Sequence, residues 1–577
     1  MENFFIEIFE EESISEDILD HNFQKYEEKG IKLFFSKKKI TFYRNKKDSD
    51  ILVLCSLTKR DRSKIFDKFS LKEKYSDAEL LLKVYLKHGI KAFDYLGNSF
   101  SFFIYNFRIK RFFIIRDHIG FNNIYYTKIK NSIFLTSTLG GLKRFAKNNF
   151  TIDKKNLKNF LHMIPIKSNE TFYTEIKKVP PSHFLELSNG FLSMCSYNKF
   201  NDIEIPFSKE VQINGLKDLL KKAIIRDEEI LDEKIGFLFS GGLDSSTVIS
   251  FYEKYKKSNQ KLFSYTATFD HIDKEVKRFI EEKSFQEEIT QNKDIKDRSF
   301  KAENLSTLSN LDKFIELIGQ PFFFPNLYVP AESFRLASKD GVEKVFNGND
   351  GDSVISHGFE YFLEMFLKLR WISLYKSIKK VAYINNKSII FVFKRAVLDQ
   401  IFFYNKIFFS AKKKHKAILS TPIHSNAIEI QSLVANHYGI EEVYPFYNMN
   451  LVNYCVNVRP DLKINGFSRY ILREAIRDIV PEKIRNRTDK ANLGHGLVQS
   501  FIDKDKELIE RHINNPHPLI RELINVKKLD SSWKNLLKNP RKYSTRSNVP
   551  SLIFSYVVAN RWLELINSHD NSLNKKT

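Results

Sequence analysis

Seven residues carry the plainest chemical signal in the chain: Ser240-Gly241-Gly242-Leu243-Asp244-Ser245-Ser246. The two glycines let the backbone pass close to a ligand and turn several N–H groups toward one point. Ser245 and Ser246 can cap a following helix and also donate hydroxyls, and the helix start adds a positive dipole end. From Phe239 to Ser246 this is an anion cradle suited to phosphate or pyrophosphate. A bare carboxylate at Asp244 would repel such a ligand, unless it holds a magnesium ion that bridges to the phosphate oxygens. The plainer alternative is a strand-to-helix turn with a capping serine. The flanking elements and the offset of the aspartate favour the nucleotide reading.

The elements around the cradle fit that role. Ile235-Gly-Phe-Leu-Phe239 reads as a buried strand, and an amphipathic run follows Asp244. Leu262-Phe-Ser-Tyr-Thr-Ala-Thr268-Phe-Asp270 reads as the next parallel strand, whose carboxyl end, with the backbone near Thr268, would lie beside the base of a nucleotide. Glu281-Glu282 opens a helix, as a cap or a substrate contact. Upstream, residues 76–90 read as a helix with Ser76 as N-cap, Glu79 completing a capping box and Gly89 ending it. Phe100–Tyr105, Arg111–Arg116 and Ile124–Tyr126 read as strands.

The 577 residues suffice for two or three domains, and 42% hydrophobic with 28% charged residues fits a globular chain. The formal charge of +23 suits a nucleic acid, a membrane surface or an acidic substrate. The plainer reading is lysine enrichment of a solvated surface, and no nucleic-acid partner is expected. Cys55, Cys195 and Cys455 are far apart and lack CxxC spacing, which suits a reducing cytoplasm without disulfides or zinc. The acidic N-terminal stretch does not read as a signal peptide, and no uncharged apolar run approaches a membrane span.

The loop resembles the pyrophosphate-binding loop of ATP-pyrophosphatases, which cleave ATP between the α- and β-phosphates. Asparagine synthetases, β-lactam synthetases, lasso-peptide cyclases and tRNA-modifying enzymes share it. Ser76–Glu79, Leu96-Gly97, Arg116-Asp117-His-Ile-Gly120 and Tyr125-Tyr126 resemble the latter half of the glutaminase domain of asparagine synthetases. That resemblance implies an αββα sandwich of the N-terminal-nucleophile type. Residue 2 is Glu and no cysteine lies near it, so an inactive glutaminase is expected. Asn347-Gly348-Asn349-Asp350-Gly351-Asp352 stands where asparagine synthetases have Ser-Gly-Glu-Gly-Gly-Asp-Glu. The resemblance makes Gly348 part of the nucleotide site and Asp352 a magnesium ligand paired with Asp244. Asn349 departs from the Glu of asparagine synthetases and the Tyr of β-lactam synthetases. His357 reads either as a base near pH 7 or as an ordinary packed histidine. Tyr444-Pro-Phe-Tyr447-Asn448, Gly466-Phe-Ser-Arg469 and Arg487-Thr-Asp-Lys490 resemble further synthetase motifs. They imply that Lys490, with Arg469, neutralises charge as an amine attacks an acyl-adenylate.

These readings predict an α/β protein with a degenerate glutamine-amidotransferase-like domain over 1–205 and a Rossmann-like ATP-pyrophosphatase domain over 206–577. ATP and Mg2+ are the expected cofactors. Residues 365–417, with 13 Lys or Arg and one acid, read as a helical insertion. Its basic face is either simply solvated or docks an acidic peptide, a partner protein or a membrane surface. The expected reaction joins a carboxylate of a peptide or small molecule to an amine, as in a lasso-peptide macrolactam cyclase served by a leader protease or recognition protein. An ammonia-dependent asparagine synthetase, a tRNA-modifying enzyme and a non-catalytic scaffold are the alternatives.

Overall fold

Alternation in the first strand shows how the N-terminal half is built. Along Phe4–Ile8 all five residues are buried, because the two faces of the strand meet different cores. Phe4, Ile6 and Ile8 join Leu33, Leu54, Phe103, Phe112 and Leu185 between two sheets. Phe5 turns outward with Phe34 and Phe134 onto helices. The computed structural model describes residues 4–10, 13, 15, 23–36, 40–46, 50–69, 75–97, 99–145, 150–197, 199–225, 233–256, 260–269, 283–291, 294–402, 407–488 and 494–573.

One antiparallel sheet runs in the order Lys177–Lys178, Tyr125–Ile129, Ser132–Thr136, Phe4–Ile8, Ile31–Ser36, Phe23–Glu28. The other runs Phe191–Ser196, His183–Ser188, Arg111–Arg116, Phe100–Asn106, Ile51–Leu57, Thr41–Asn45. The outer face of the second sheet packs on helices Lys59–Phe69 and Asp77–His88 through Cys55, Phe102, Phe113, Leu81 and Val84. The result is the expected helix–sheet–sheet–helix sandwich. Helix Asp77–His88 starts at Ser76 with both bonds of the capping box, and Gly89 ends it.

Five parallel strands form the second half: β1 (Lys234–Leu238), β2 (Lys261–Thr268), β3 (Ile295–Lys301), β4 (Lys344–Asn347) and β5 (Glu441–Val443). Their order is β3-β2-β1-β4-β5. Chain order reverses between β1 and β4, so a crevice opens beyond the carboxyl ends of those two strands. The helices used below are α1 (Leu243–Tyr255), α2 (Gly351–Ile355), α3 (Trp371–Ile384), α4 (Ile389–Phe393), α5 (Ala411–Leu419), α6 (Pro422–His437), α7 (Tyr470–Ala475) and α8 (Val549–Leu573). The described part of 365–417 is helical and has its own apolar core, which includes Met365, Leu374, Ile378, Val392 and Val397. Among the described residues no helix is long and apolar enough to cross a membrane.

A buried ionic cluster joins the halves. Glu429 on α6 accepts hydrogen bonds from Lys178 Nζ at 3.1 Å and from the Tyr125 hydroxyl, and Arg116 Nη2 lies 3.8 Å away. Burial pushes the Glu429 carboxyl up, while the Arg116 charge opposes this; burial also pulls Lys178 down. Pairing makes the burial of these charges tolerable. A larger core also crosses the boundary: the Trp562 ring of α8 meets Phe172 and Tyr173 at 6.0 and 5.7 Å between centroids.

Candidate active site

The Ser-Gly-Gly loop leaves β1 at the crevice. Phe239 N–H donates to Tyr265 O at 3.1 Å, carrying the alignment of β1 and β2 one residue past the sheet. Gly241 has φ +80°, a conformation that favours glycine. Gly242 is the N-cap of α1 and has no side chain to offer, so the first-turn amides of Leu243, Asp244 and Ser245 receive no side-chain cap. Ser240 is fixed from both sides: its Oγ lies 3.1 Å from Ser245 Oγ, and its carbonyl accepts from Gln286 Nε2 at 3.1 Å.

The expectation that Ser245 and Ser246 cap the helix is corrected. The helix already begins at Leu243, which puts both serines inside its first turns. Ser245 Oγ donates to Gly242 O at 3.2 Å. Ser246 is fully buried, and its hydroxyl finds no hydrogen-bond partner among the described residues. Thr268 ends β2 nearby, with its hydroxyl donating to Phe300 O at 3.2 Å.

The turn after β4 closes directly on this loop. A Cβ on Gly348 would stand 2.7 Å from Ser245 N and 2.8 Å from Ser245 Cα. A Cβ on Gly351 would stand 2.7 Å from the Asp244 carboxyl carbon. Both glycines are therefore required by close approach, and the approach brings Asp352 to the same rim as Asp244. Asp350 serves the turn itself. It adopts φ +59° at the N-cap position of α2, where its carboxylate, instead of capping the helix, accepts from Tyr447 Oη at 2.7 Å and meets His424 Nδ1 at 3.1 Å.

Asp244 is matched with Arg469, whose Nη1 lies 2.6 Å from both carboxylate oxygens. Arg469 sits at φ +53°, just before α7, and is buried. Arg473, one turn on, donates to Ser468 O at 3.0 Å and to the Arg485 carbonyl. Burial, reinforced by Arg469, pulls its guanidinium down to about 10. His357 Nε2 lies 3.7 Å from Asp352, with its ring partly exposed. Lys490 and Glu281-Glu282 lie outside the described residues.

These groups fit a magnesium nucleotide. Gly348 and Gly351 leave the loop backbone unobstructed, and Asp244 and Asp352 are the hard oxygen donors that magnesium prefers. Among the described residues no three His, Cys, Asp or Glu side chains cluster as a metal site. Asp244 and Asp352 are the residues that would hold the ion.

Sequence reasoning missed the support behind the turn. Asn347 Nδ2 and Gln431 Nε2 donate to Glu442 Oε1 at 3.0 and 2.6 Å, and Tyr444 Oη donates to Oε2 at 2.6 Å. Asn349 Nδ2 donates to Gln431 Oε1 at 3.3 Å, so the residue that departs from the related motifs is held in this network. Burial pushes the Glu442 carboxyl up to about 7, against the hydrogen bonds that favour its charged form. The turn motif pointed to Asn347 and Asn349 and the Tyr444–Tyr447 motif to Tyr444, but no local cue marked Gln431 or Glu442.

Beside Asp352 a cavity of about 990 Å³ opens, reaching His357 and Ser468 on one side and Phe391, Arg395 and Lys414 of the insertion on the other. The insertion is locked to the turn by a buried histidine. His415 Nε2 donates to Ser353 O at 2.9 Å, and its Nδ1 accepts from Lys463 Nζ at 2.9 Å. Burial lowers both groups, which keeps the imidazole neutral and its tautomer defined.

No cysteine lines this cavity. Cys55 is buried within its strand, and burial pushes its thiol well up. Burial likewise raises Cys455 to about 12. Cys195 is exposed on an edge strand.

The family model for asparagine synthase matches residues 215–564, and that for a glutamine amidotransferase domain matches residues 64–198. Asparagine synthetase [glutamine-hydrolyzing] 1 of Bacillus subtilis (strain 168) is 27% identical over 184 residues, covering 32% of this chain and 29% of that protein. Asparagine synthetase [glutamine-hydrolyzing] 3 of the same organism is 24% identical over 205 residues, covering 35% and 33%. Asparagine synthetase [glutamine-hydrolyzing] 1 of Lotus japonicus is 23% identical over 463 residues, covering 76% and 65%. The chain thus spans about a third of the length of the two Bacillus proteins.

Proposed function

Since the chain belongs to the asparagine synthase family, we propose that it is an ATP-dependent ligase that forms an amide bond. The carboxylate of one substrate attacks the α-phosphorus of ATP, giving an acyl-adenylate and pyrophosphate. An amine then displaces AMP. The first-turn amides of α1 hold the departing pyrophosphate. Asp244 and Asp352 would hold magnesium, which would screen the phosphate charge. Arg469 and Lys490 offset negative charge as it develops.

The acceptor is read as a peptide, with an Asp or Glu side chain activated and the peptide's own N-terminal amine attacking it, as in lasso-peptide cyclases. The cavity carries this reading. Its volume of about 990 Å³ adjoins Asp352 and is walled by the insertion, which places it at the top of the roughly 300–1,000 Å³ range for drug-sized ligands. Asn349, in place of an acid, is occupied with Gln431. An intramolecular amine has a high effective concentration and needs no ammonia.

The test is incubation with ATP, a leader protease and the precursor peptide encoded beside the gene. A product one water lighter, with AMP formed in equal amount, is expected. Asparagine made at a good rate from aspartate and ammonia, with no peptide losing water, would replace this reading by the asparagine synthetase one.

A further inference from the structure

Residues 365–398 contain eight Lys or Arg and no Asp or Glu. Helix α3 buries Leu374, Ile378 and Val381 but leaves Trp371, Ile372, Tyr375 and Tyr383 49%, 74%, 55% and 87% exposed. At the start of α4, Ile390 and Phe391 are 80% and 42% exposed. The Phe366 ring touches both Trp371, at the start of α3, and Phe393, at the end of α4, with centroids 4.9 and 6.0 Å apart. The two helices therefore run side by side in opposite directions, and exposed Lys376 and Lys379 on α3 and Lys387, Lys394 and Arg395 flanking α4 accompany their exposed aromatic and aliphatic residues.

We propose that this face docks on an anionic lipid surface. A cluster of large apolar side chains held in water marks an interaction site. The mixture selects the partner. Trp and Tyr sit at headgroup level in membrane interfaces. Lysine stems lie along apolar surface while their ammonium groups reach outward to lipid phosphates. Protein interfaces instead favour Arg and deplete Lys, and six of the eight exposed cations of this stretch are Lys. Docking is peripheral, because no described helix can cross the bilayer. Val381, Phe391 and Arg395 also line the cavity beside Asp352, so docking sets that cavity next to the lipid surface.

The chain carries its own probe. Of its three tryptophans, Trp533 and Trp562 are buried and only Trp371 is exposed. The full-length protein is mixed with vesicles of phosphatidylcholine alone, or of phosphatidylcholine and phosphatidylglycerol at roughly 7:3, the anionic fraction supplying the surface potential. Co-sedimentation and a blue shift of Trp371 fluorescence are expected with the anionic vesicles only, and both should weaken with added salt. Lys376→Glu/Lys379→Glu/Lys394→Glu should lower the partition coefficient about a hundredfold or more. Ile372→Asp/Ile390→Asp should abolish the blue shift; all five positions are exposed, so unfolding temperatures should not change. The proposal is overturned if neither vesicle binds, if both bind equally, or if the two variants bind like wild type. It is also overturned if a glutamate-rich peptide binds this face while anionic vesicles do not, which would assign it to a protein partner.

Discussion

Gly348→Ala tests whether the two turns form one nucleotide site. Gly348 is not among the positive-φ glycines, so alanine meets no backbone objection there. Its only penalty is contact. The new Cβ would stand 2.7 Å from Ser245 N, 2.8 Å from Ser245 Cα and 3.0 Å from Asp244 C, where ordinary contact starts at 3.4 Å. All three are backbone atoms of the first turn of α1, so no side chain can rotate away. The turn and the helix must part by about 0.7 Å in close-packed surroundings. Overpacking of this kind costs about 1–3 kcal/mol. The displaced amides are those proposed to hold the pyrophosphate, so the cost should appear as ATP affinity weakened about 5- to 150-fold. Calorimetric titration with magnesium ATP measures this, and urea unfolding confirms that the variant folds. Gly140→Ala is the control: its Cβ meets only Glu316 O, at 3.6 Å, and ATP affinity should be unchanged. A folded Gly348→Ala protein that binds ATP within about twofold of wild type would refute the shared-site argument.

Four further outcomes follow from the geometry. The folded Glu442 carboxyl sits at about 7 against an ordinary 4.5, so its stabilising contribution is complete below the ordinary value and is lost as pH rises through about 7. Wild type should therefore lose about 3 kcal/mol relative to Glu442→Gln between about pH 4.5 and pH 8 in urea titrations, and parallel curves would show that the group stays ionised. Glu429→Gln leaves Lys178 without its counter-charge and Arg116 with Asp117 alone, and should cost about 3–5 kcal/mol, largely recovered in Glu429→Gln/Lys178→Met; a loss below about 1 kcal/mol would mean the cluster is not an ion pair. Asp352→Asn should cut substrate-dependent pyrophosphate release about a hundredfold or more with an unchanged melting temperature, and near-normal release would remove Asp352 from the metal site. Glutamine should not be hydrolysed; glutamate released above a heat-killed control would show a nucleophile other than these three cysteines.

What was legible in the sequence was what is local. The strand, the Ser-Gly-Gly turn and α1 lie within about twenty consecutive residues, and Ser76 with Glu79 marks its helix unaided. The family itself was legible from such short motifs. The partners of those motifs were not. Arg469 meets Asp244 across 225 positions and Glu442 meets Asn347 across 95, and no periodicity encodes either meeting. The serine cap was misread because Ser245 is a good capping residue in isolation, whereas the helix takes its N-cap three residues earlier, on Gly242. The cavity was invisible for a related reason, since it exists only where the insertion folds back onto Ser353 through His415.

The contact of Trp562 with Phe172 and Tyr173 has a consequence for biosynthesis. The aromatic pair leaves the ribosome well before its cover, which lies far downstream in the sequence. At ~5–20 residues per second, the intervening residues take roughly 20–80 s to translate. During that interval the N-terminal sandwich can assemble its sheets but leaves this apolar seam open to water and to other nascent chains. Loss of α8, by a stop codon ahead of it, would make that exposure permanent. The damage would register as aggregation of the whole polypeptide, although α8 lines no part of the cavity beside Asp352.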